Sequence, residues 1–212
     1  MNDVPIVVYD EASHLERLEQ LPTRSRVVFA LLTACRMLPA YQRFHERTGR
    51  GDAAALDELA ERLWLDVTGT PMSSDEVDAG AARCLELIPL EEDGWDPETQ
   101  PYAENAATAL TCAFRARQDG DPQHAVWAAQ CAYEILDHHV FALLGKPKFD
   151  AEVERAVLAN PLVQAELTRQ HRDLEDLAHL HPTGDLEAHL PVMRERTRQA
   201  ARAFFGSERG AV

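Results

Sequence analysis

Apolar residues recur every three or four positions along most of this chain, which is the spacing of one face of an α-helix. The pattern is clear in "RVVFALLTAC", where Val27, Val28, Leu31, Leu32 and Cys35 share a face. Similar stripes run through 52–69, 74–87, 101–118, 121–145 and 160–180. Only "VPIVVYD" near the start resembles a strand. The pattern therefore predicts an all-α protein, a single compact bundle of about eight helices.

Residues that start, stop or bend helices mark the boundaries. Ser13 with Glu16 three positions later forms a capping-box pattern, and Asp121 before Pro122 is a favoured helix start. Because Pro39 has no amide hydrogen, we expect it to kink or break the second helix. The other start and stop signals are Thr23, Gly49, Asp52, Gly145 and the Asn160–Pro161 pair.

The helices over 101–118 and 121–145 are separated only by the tight turn "DGDP". Their facing positions are rich in alanine, which lets two helix backbones approach closely. We therefore predict a central antiparallel helical hairpin. "IPLEEDGWDPETQPY" is the best candidate for an internal boundary, but it is too short for a clear linker. We predict one domain over 1–212, with an extended arm at 1–12 and a frayed tail at 206–212.

The charge balance disfavours two classes of partner. The chain carries 36 acidic residues against 21 Lys and Arg, a formal net charge of −15. Nucleic acid and anionic membranes attract basic surfaces, so we expect neither as a partner. The arginines of the last helix, Arg194, Arg198 and Arg202, share a face that offers an alternative phosphate or RNA contact. A charged outer face explains them more simply.

The four cysteines indicate a reducing compartment. None is spaced as CxxC, and each lies among alanines and aliphatic residues, as a buried thiol does. The acidic N-terminus lacks the basic segment of a signal peptide. No run approaches the roughly 20 apolar residues that span a bilayer. We expect a cytoplasmic protein.

Two histidine clusters are candidates for metal binding. "AYEILDHHVFALLG" places Glu134 and His138 on one helix face, and His171, Glu175 and His179 form a second stripe at four-residue steps. The spacing from Glu134 to His138 misses the Glu-x-x-His pattern of di-iron bundles, and HExxH is absent. Solvated helix surface is the simpler interpretation. These five residues stay a weak alternative, and we predict no metal or other cofactor.

No motif of nucleophilic catalysis or phosphate binding occurs. GxSxG, the P-loop and GxGxxG are all absent from the chain. The "RGD" at 50–52 is explained by a helix stop followed by a helix start.

The block "RMLPAYQRFHERTGRGD" resembles the YjaG-like family of uncharacterised bacterial proteins, DUF416. The matching positions are Arg36, Met37, Pro39, Tyr41, Phe44, Thr48, Gly49, Gly51 and Asp52. Weaker matches follow in order at Ile88–Pro89, Tyr102–Ala106, "HAV" at 124–126 and "NPLVQAE" at 160–166. The resemblance implies a compact helical cytoplasmic protein and implies no activity. It covers neither "DHH" nor the second histidine stripe.

The matching positions suggest a polar pocket formed by Arg36, Tyr41, His124 and Glu166. Arg36 lies in a largely apolar helix, and an unpaired buried charge is very costly. We therefore predict an Arg36–Glu166 ion pair inside the bundle. The alternative is that the matching residues only specify the fold.

The absence of catalytic motifs favours a non-enzymatic protein that acts by protein–protein contact or self-association, most simply as a homodimer. The alternative is a small-molecule or metal-dependent enzyme with its site inside the bundle.

Overall fold

The computed structural model of the protein describes residues 6–91 and 94–206, with side chains as far as residue 203. These ranges fold into nine α-helices and contain no β-strand, which confirms the all-α prediction. The helices are α1 (Glu11–Glu19), α2 (Thr23–Thr48), α3 (Ala53–Val67), α4 (Ser74–Glu86), α5 (Gln100–Asp119), α6 (Pro122–Leu144), α7 (Ala151–Leu158), α8 (Pro161–Thr183) and α9 (Leu186–Gly206).

Helix α2 lies at the centre of the bundle and contacts α3, α5, α6, α8 and α9. Every residue from Val27 to Ala34 is buried, so this stretch is enclosed on all sides. A helix that is apolar around its whole circumference is stable only in such a position. The middle of this helix therefore places its polar side chains, Thr33 and Arg36, in the interior.

Helices α5 and α6 form the predicted antiparallel hairpin. Alanines dominate their buried faces, among them Ala106, Ala109 and Ala113 in α5 and Ala125 and Ala129 in α6. The two helices meet at the turn after Asp119, and from that turn α6 runs for 23 residues whereas α5 has only 20. The last turn of α6 consequently extends past the start of its partner.

Most predicted boundaries are found where the sequence places them, and three expectations are wrong. Helix α1 is capped by Asp10, whose carboxylate accepts the N–H of Ser13, so Ser13 lies inside the helix. Pro39 does not break α2, because packing on several sides holds the helix despite the missing hydrogen bond. Leu85 and Leu143 belong to the apolar stripes of 74–87 and 121–145, which predict that they face inward, but they are 44% and 65% exposed.

The buried apolar residues form two clusters. The larger one unites α1–α6 with parts of α8 and α9. The smaller one, called the satellite cluster below, consists of Leu136, Val140, Val153, Val157, Val163 and Leu167. The arm contributes Val7, whose N–H and C=O both bond the side-chain amide of Gln164. That 1–212 form one domain stays a prediction; the tail beyond residue 206 lies outside the described residues.

None of the helices in the described ranges combines the length and hydrophobicity that a membrane span requires.

Candidate functional site

The predicted Arg36–Glu166 ion pair is present in the interior of the bundle. Nε of Arg36 donates to both carboxylate oxygens of Glu166 at 2.9 and 3.0 Å, and a terminal nitrogen donates to Oε1 at 2.8 Å. The side chains are 2% and 1% exposed. Such bidentate, charge-assisted bonds are the strongest hydrogen bonds available to an arginine.

The pair belongs to a larger ion network, which we define as Arg36, Glu166, Asp173, Asp176 and Arg196. The other terminal nitrogen of Arg36 donates to Asp173 at 2.7 Å. Arg196 of α9 bonds both Asp173, at 2.7 Å, and Asp176, at 2.8 Å. The network therefore ties the central helix α2 to α8 and α9.

Helix α8 carries three polar residues on its inward face, and two of them, Glu166 and Asp173, belong to the network. Glu166, Gln170 and Asp173 are spaced by four and three residues, so they share a face with Leu167 and Leu174. The amide nitrogen of Gln170 donates to Glu166 at 3.2 Å and to the Ala129 carbonyl of α6 at 3.1 Å. This spacing is a signal by which Asp173 could have been found from the sequence beside Glu166.

The electrostatics of the network favour permanent charge. Burial lowers the pKa of Arg36, but the carboxylates of Glu166 and Asp173 raise it by more, so the guanidinium stays protonated. All three of its nitrogens are bonded, one of them also to the Thr33 hydroxyl at 3.3 Å. A buried guanidinium with every nitrogen bonded to the protein is held in place by the surrounding helices. The network is therefore a structural element that joins helices.

Tyr41 is placed elsewhere and does not join the ion pair. Its hydroxyl donates to the Leu87 carbonyl at 2.6 Å and accepts the N–H of Asp52 at 3.4 Å. Gly51 has a φ of +69°, and a side chain there would collide with the Tyr41 hydroxyl. Tyr41 thus fastens the turn between α2 and α3 to the end of α4.

His124 is also separate from the ion pair. It lies in the first turn of α6, and its Nε2 is 3.0 Å from the Asp119 carboxylate. Its ring meets Trp127 edge-on at 5.3 Å, and its Nδ1 is buried without a hydrogen-bond partner. The structure therefore brings together two of the four predicted pocket residues, Arg36 and Glu166. A functional role for any of the four stays a prediction.

The two histidine clusters do not meet. Glu134 accepts a hydrogen bond from Gln130 and His138 is exposed, whereas His171 lies against His14 at 5.7 Å between ring centroids. Glu175 and His179 are exposed on α8. Over the described ranges, no three His, Cys, Asp or Glu side chains are grouped as a metal site requires. No pattern in the sequence singled out His14, which is 1% exposed and lies against His171.

The arginines of α9 serve as ion-pair partners. Arg194 and Arg198 both approach Glu61 of α3, and Arg196, which the sequence did not single out, enters the ion network.

The end of the molecule around the satellite cluster has a different character. A shallow groove of about 250 Å³ runs between the end of α6 and α7, with an apolar floor and a charged rim. Its lining, called the α6–α7 groove below, is Leu144, Lys146, Pro147, Lys148, Asp150, Glu152, Val153 and Ala156. Nearby, Leu143 is 65% exposed and Phe149, whose ring meets Phe141 at 5.3 Å, is 51% exposed. Large apolar side chains crowded around one groove are typical of a contact surface.

Comparison with known proteins yields a family and a fold. The family model described as "Protein of unknown function (DUF416)" matches residues 13–199. The crystal structure of a DUF416 family protein from Shewanella baltica superposes with a TM-score of 0.74 at 22% identity, over 87% of this chain and 93% of that one. No curated protein matches the chain.

Proposed function

Because this chain belongs to DUF416, a family of proteins of unknown function, we propose that it acts by self-association, with the α6–α7 groove and its apolar surroundings as the contact surface between two copies. The observation that carries this proposal is the exposure of large apolar side chains around the satellite cluster. Leu143 and Phe149 are more than half exposed there, although burial of either would be favourable.

The ion network in the interior of the bundle is a weaker candidate for function than the groove, which supports the proposal. The charges of the ion network pair with one another, and each nitrogen of its central arginine already bonds a protein group. An enzyme site inside the bundle would need polar groups that face a cavity, since catalysis depends on unsatisfied groups that reach the substrate. The surface is therefore a better candidate for function than the interior.

Charge at the groove is self-complementary. Lys146 and Lys148 are the only lysines of the chain, and both line this groove. Asp150 and Glu152 line it as well. In a twofold dimer each surface meets its own copy, so the lysines of one copy can face the acids of the other. With two lysines and two acids the groove lining has no net charge, which reduces the repulsion between two chains of charge −15 at this surface.

The arm enlarges the contact surface. Ile6 and Val8 are 56% and 57% exposed on either side of Val7, which packs against the satellite cluster. A stable interface buries roughly 800 Å² on each partner, more than a groove of this size offers alone. We propose that the arm and the end of α6 complete the dimer interface.

The test is the mass of the full chain in solution, measured by light scattering across the micromolar range. We expect twice the chain mass for the wild-type protein and the mass of one chain for Leu143→Asp. Val192→Asp is the matched control, because Val192 is 66% exposed on α9, away from the groove. A monomeric wild-type protein, or a dimer that Leu143→Asp leaves intact, would refute the proposal.

We propose that this self-association takes place in the cytoplasm. All four cysteines are free thiols, and three of them are buried. This supports a reducing compartment, where thiols persist unpaired.

A further inference from the structure

A pair of histidines lies between α1 and α8, next to the ion network but outside it. The rings of His14 and His171 meet edge-on, with 5.7 Å between their centroids. His14 is almost completely buried, whereas His171 is half-buried. Two rings that can each take up a proton therefore face one another at a junction between helices.

The hydrogen bonds around His14 suit a neutral ring. Its Nδ1 lies 2.8 Å from the Asp10 carbonyl, an acceptor, so Nδ1 carries the single proton of the neutral form. Its Nε2 is buried without a hydrogen-bond partner, and the side-chain oxygen of the neighbouring Gln170 is buried without a donor as well. A second proton on this ring would add a charge where water does not reach.

The charges that act on the pair are mainly positive. From α1, Arg17 donates to the His171 carbonyl at 3.4 Å, and its guanidinium acts on both rings. From α8, Glu175 is the acid that acts on His171, and it is exposed, where water weakens its effect. Glu166, one turn before Gln170, is already bound to Arg36. Added protons on the two rings would therefore find little negative charge to balance them.

The pair supports the arm and the first turn of α1. Asp10, whose carbonyl His14 bonds, is the residue that caps α1. Tyr9 of the arm stacks on Tyr133 of α6, and its ring also lies 5.1 Å from that of His14. On the other side, Phe29 of α2 lies 6.2 Å from His14. The ring of His14 is therefore enclosed between the arm and the core of the bundle.

We propose that the His14–His171 pair is a pH-sensitive switch, which holds the arm and the first turn of α1 in place at neutral pH and releases them in acid. When both rings are protonated, two positive charges face each other beside Arg17. Like charges repel more strongly where water is excluded. Release of the arm brings His14 into water, where the ring carries its charge at little cost.

The titration of the two rings has the sign that such a switch requires. Burial lowers the pKa of His14, and His171 and Arg17 lower it further; the hydrogen bonds to the ring only partly oppose this. Burial and Arg17 also lower the pKa of His171, which Glu175 partly opposes. Both values lie below the ordinary 6.5, so the attached arm loses stability as the pH falls below 6.5.

The experiment is hydrogen exchange of the full-length protein at about pH 7.5 and about pH 5.5, with rates corrected for the intrinsic effect of pH. We expect the protection of amides in residues 6–14 to fall at least about fivefold in acid, while those of α5 keep theirs. His14→Phe should abolish this response. His189→Phe is the matched control, because His189 of α9 bonds the carbonyl four residues earlier at 2.9 Å, as His14 does, but its ring is exposed.

Three results would overturn the switch: equal protection of residues 6–14 at both pH values, an undiminished response in His14→Phe, or an equal loss of protection in α5. His171→Asn tests the pair by a second route, since it removes one of the two charges. We expect a weaker response in this variant, and an unchanged one would show that the two rings do not act together.

Release of the arm has a consequence for self-association that rests on the proposed function, because the arm is part of the proposed dimer interface. Light scattering at the same two pH values should show more monomer in acid, and less of this change in His14→Phe. The exchange measurement does not depend on a dimer. A protein that is monomeric at both pH values would refute the proposed function, whereas the protection of residues 6–14 would still decide the switch.

Discussion

The ion network and the α6–α7 groove distribute polar and apolar groups in opposite ways. In the network, five charged side chains are turned inward, and Arg36, Glu166 and Asp173 are almost completely shielded from water. At the groove, apolar side chains such as Leu143 and Phe149 are turned outward beside charged ones. Each region reverses the usual arrangement of soluble proteins, in which apolar groups are inside and charges outside.

The two reversals have different consequences because only one is compensated within the chain. Each buried charge of the network is matched by an opposite charge at hydrogen-bond distance, so nothing further is needed. The exposed apolar groups of the groove have no such compensation in a single copy. We therefore infer structure from the first region and contact from the second, and four predictions test this distinction.

The largest effect is expected from breaking the network. Arg36→Met leaves Glu166 and Asp173 without their principal cation, and removing one partner of a buried pair costs about 3–5 kcal/mol. We expect the free energy of unfolding, measured by urea titration, to fall by this amount. Arg172→Met is the control, because Arg172 is an exposed arginine of α8, the helix that carries Glu166 and Asp173, and it should change stability by less than about 0.5 kcal/mol.

The double variant Arg36→Met/Glu166→Leu removes both charges of the pair. Because Glu166 is then no longer left without its arginine, the double variant should be more stable than Arg36→Met alone. If Arg36→Met is as stable as the wild-type protein, the network is not structural and its charges require another explanation.

The next effect concerns the satellite cluster. Leu167→Ala removes a fully buried side chain and should cost about 2–5 kcal/mol. Since α7 contributes only Val153 and Val157 to the buried residues, we expect this loss mainly in the opening of α7. Hydrogen exchange should show faster exchange of α7 amides, with smaller changes in α5. Equal loss of protection in both helices would show that the two clusters unfold as one unit.

A smaller effect is expected from pH, through the titration of one buried histidine. His14 is 1% exposed, its Nδ1 donates to the Asp10 carbonyl at 2.8 Å, and its Nε2 has no partner. Burial lowers the pKa of His14, and the nearby His171 and Arg17 lower it further; the bond to the Asp10 carbonyl and the Gln170 side chain only partly oppose this. The unfolded chain therefore binds this proton more tightly than the folded one.

The sign of the pH dependence follows from that difference. The contribution of neutral His14 to stability is complete above its unfolded pKa of 6.5 and is lost as the pH falls from there towards the lower folded pKa. Urea unfolding from about pH 8 down to about pH 5 should show this decline. His14→Phe keeps a ring against Phe29 but cannot titrate, so its decline should be shallower; an identical slope would exclude His14 as a source.

Local rules predicted most of the fold from the sequence. Gly49 and Gly145 end α2 and α6 in the left-handed conformation, as expected. The side chains of Asp52, Asp121 and Asn160 cap the first turns of α3, α6 and α8. These signals are local, since each depends on a few neighbouring residues. Pro39 was misjudged because its effect depends on the surrounding helices, which can hold a proline-containing helix together.

Contacts between residues far apart in the sequence were predictable only where a buried charge required a partner. Arg36 in an apolar helix required a buried carboxylate, and the resemblance to DUF416 pointed to Glu166, 130 residues away, as that partner. No comparable requirement connects Tyr41 or His124 to the ion pair. Tyr41 bonds the carbonyl of Leu87, and His124 bonds the carboxylate of Asp119. The α6–α7 groove was not predictable, because its shape depends on how α7 packs.

The smallest effect is expected from the charges around the groove. Lys148→Glu places an acid opposite the acids of the second copy, and exposed ion pairs contribute about 0.2–1 kcal/mol. The dimer should therefore be only slightly weaker, and its dissociation constant at low salt, measured by sedimentation, should rise two- to fivefold. Arg202→Glu is the control, because it changes the net charge equally, from −15 to −17, on an exposed position of α9. High salt should remove the difference between the two variants, since screening acts strongly on exposed charges. If both variants dimerise equally at low salt, the lysines do not face the acids of a second copy, and the groove makes contact through its apolar residues alone.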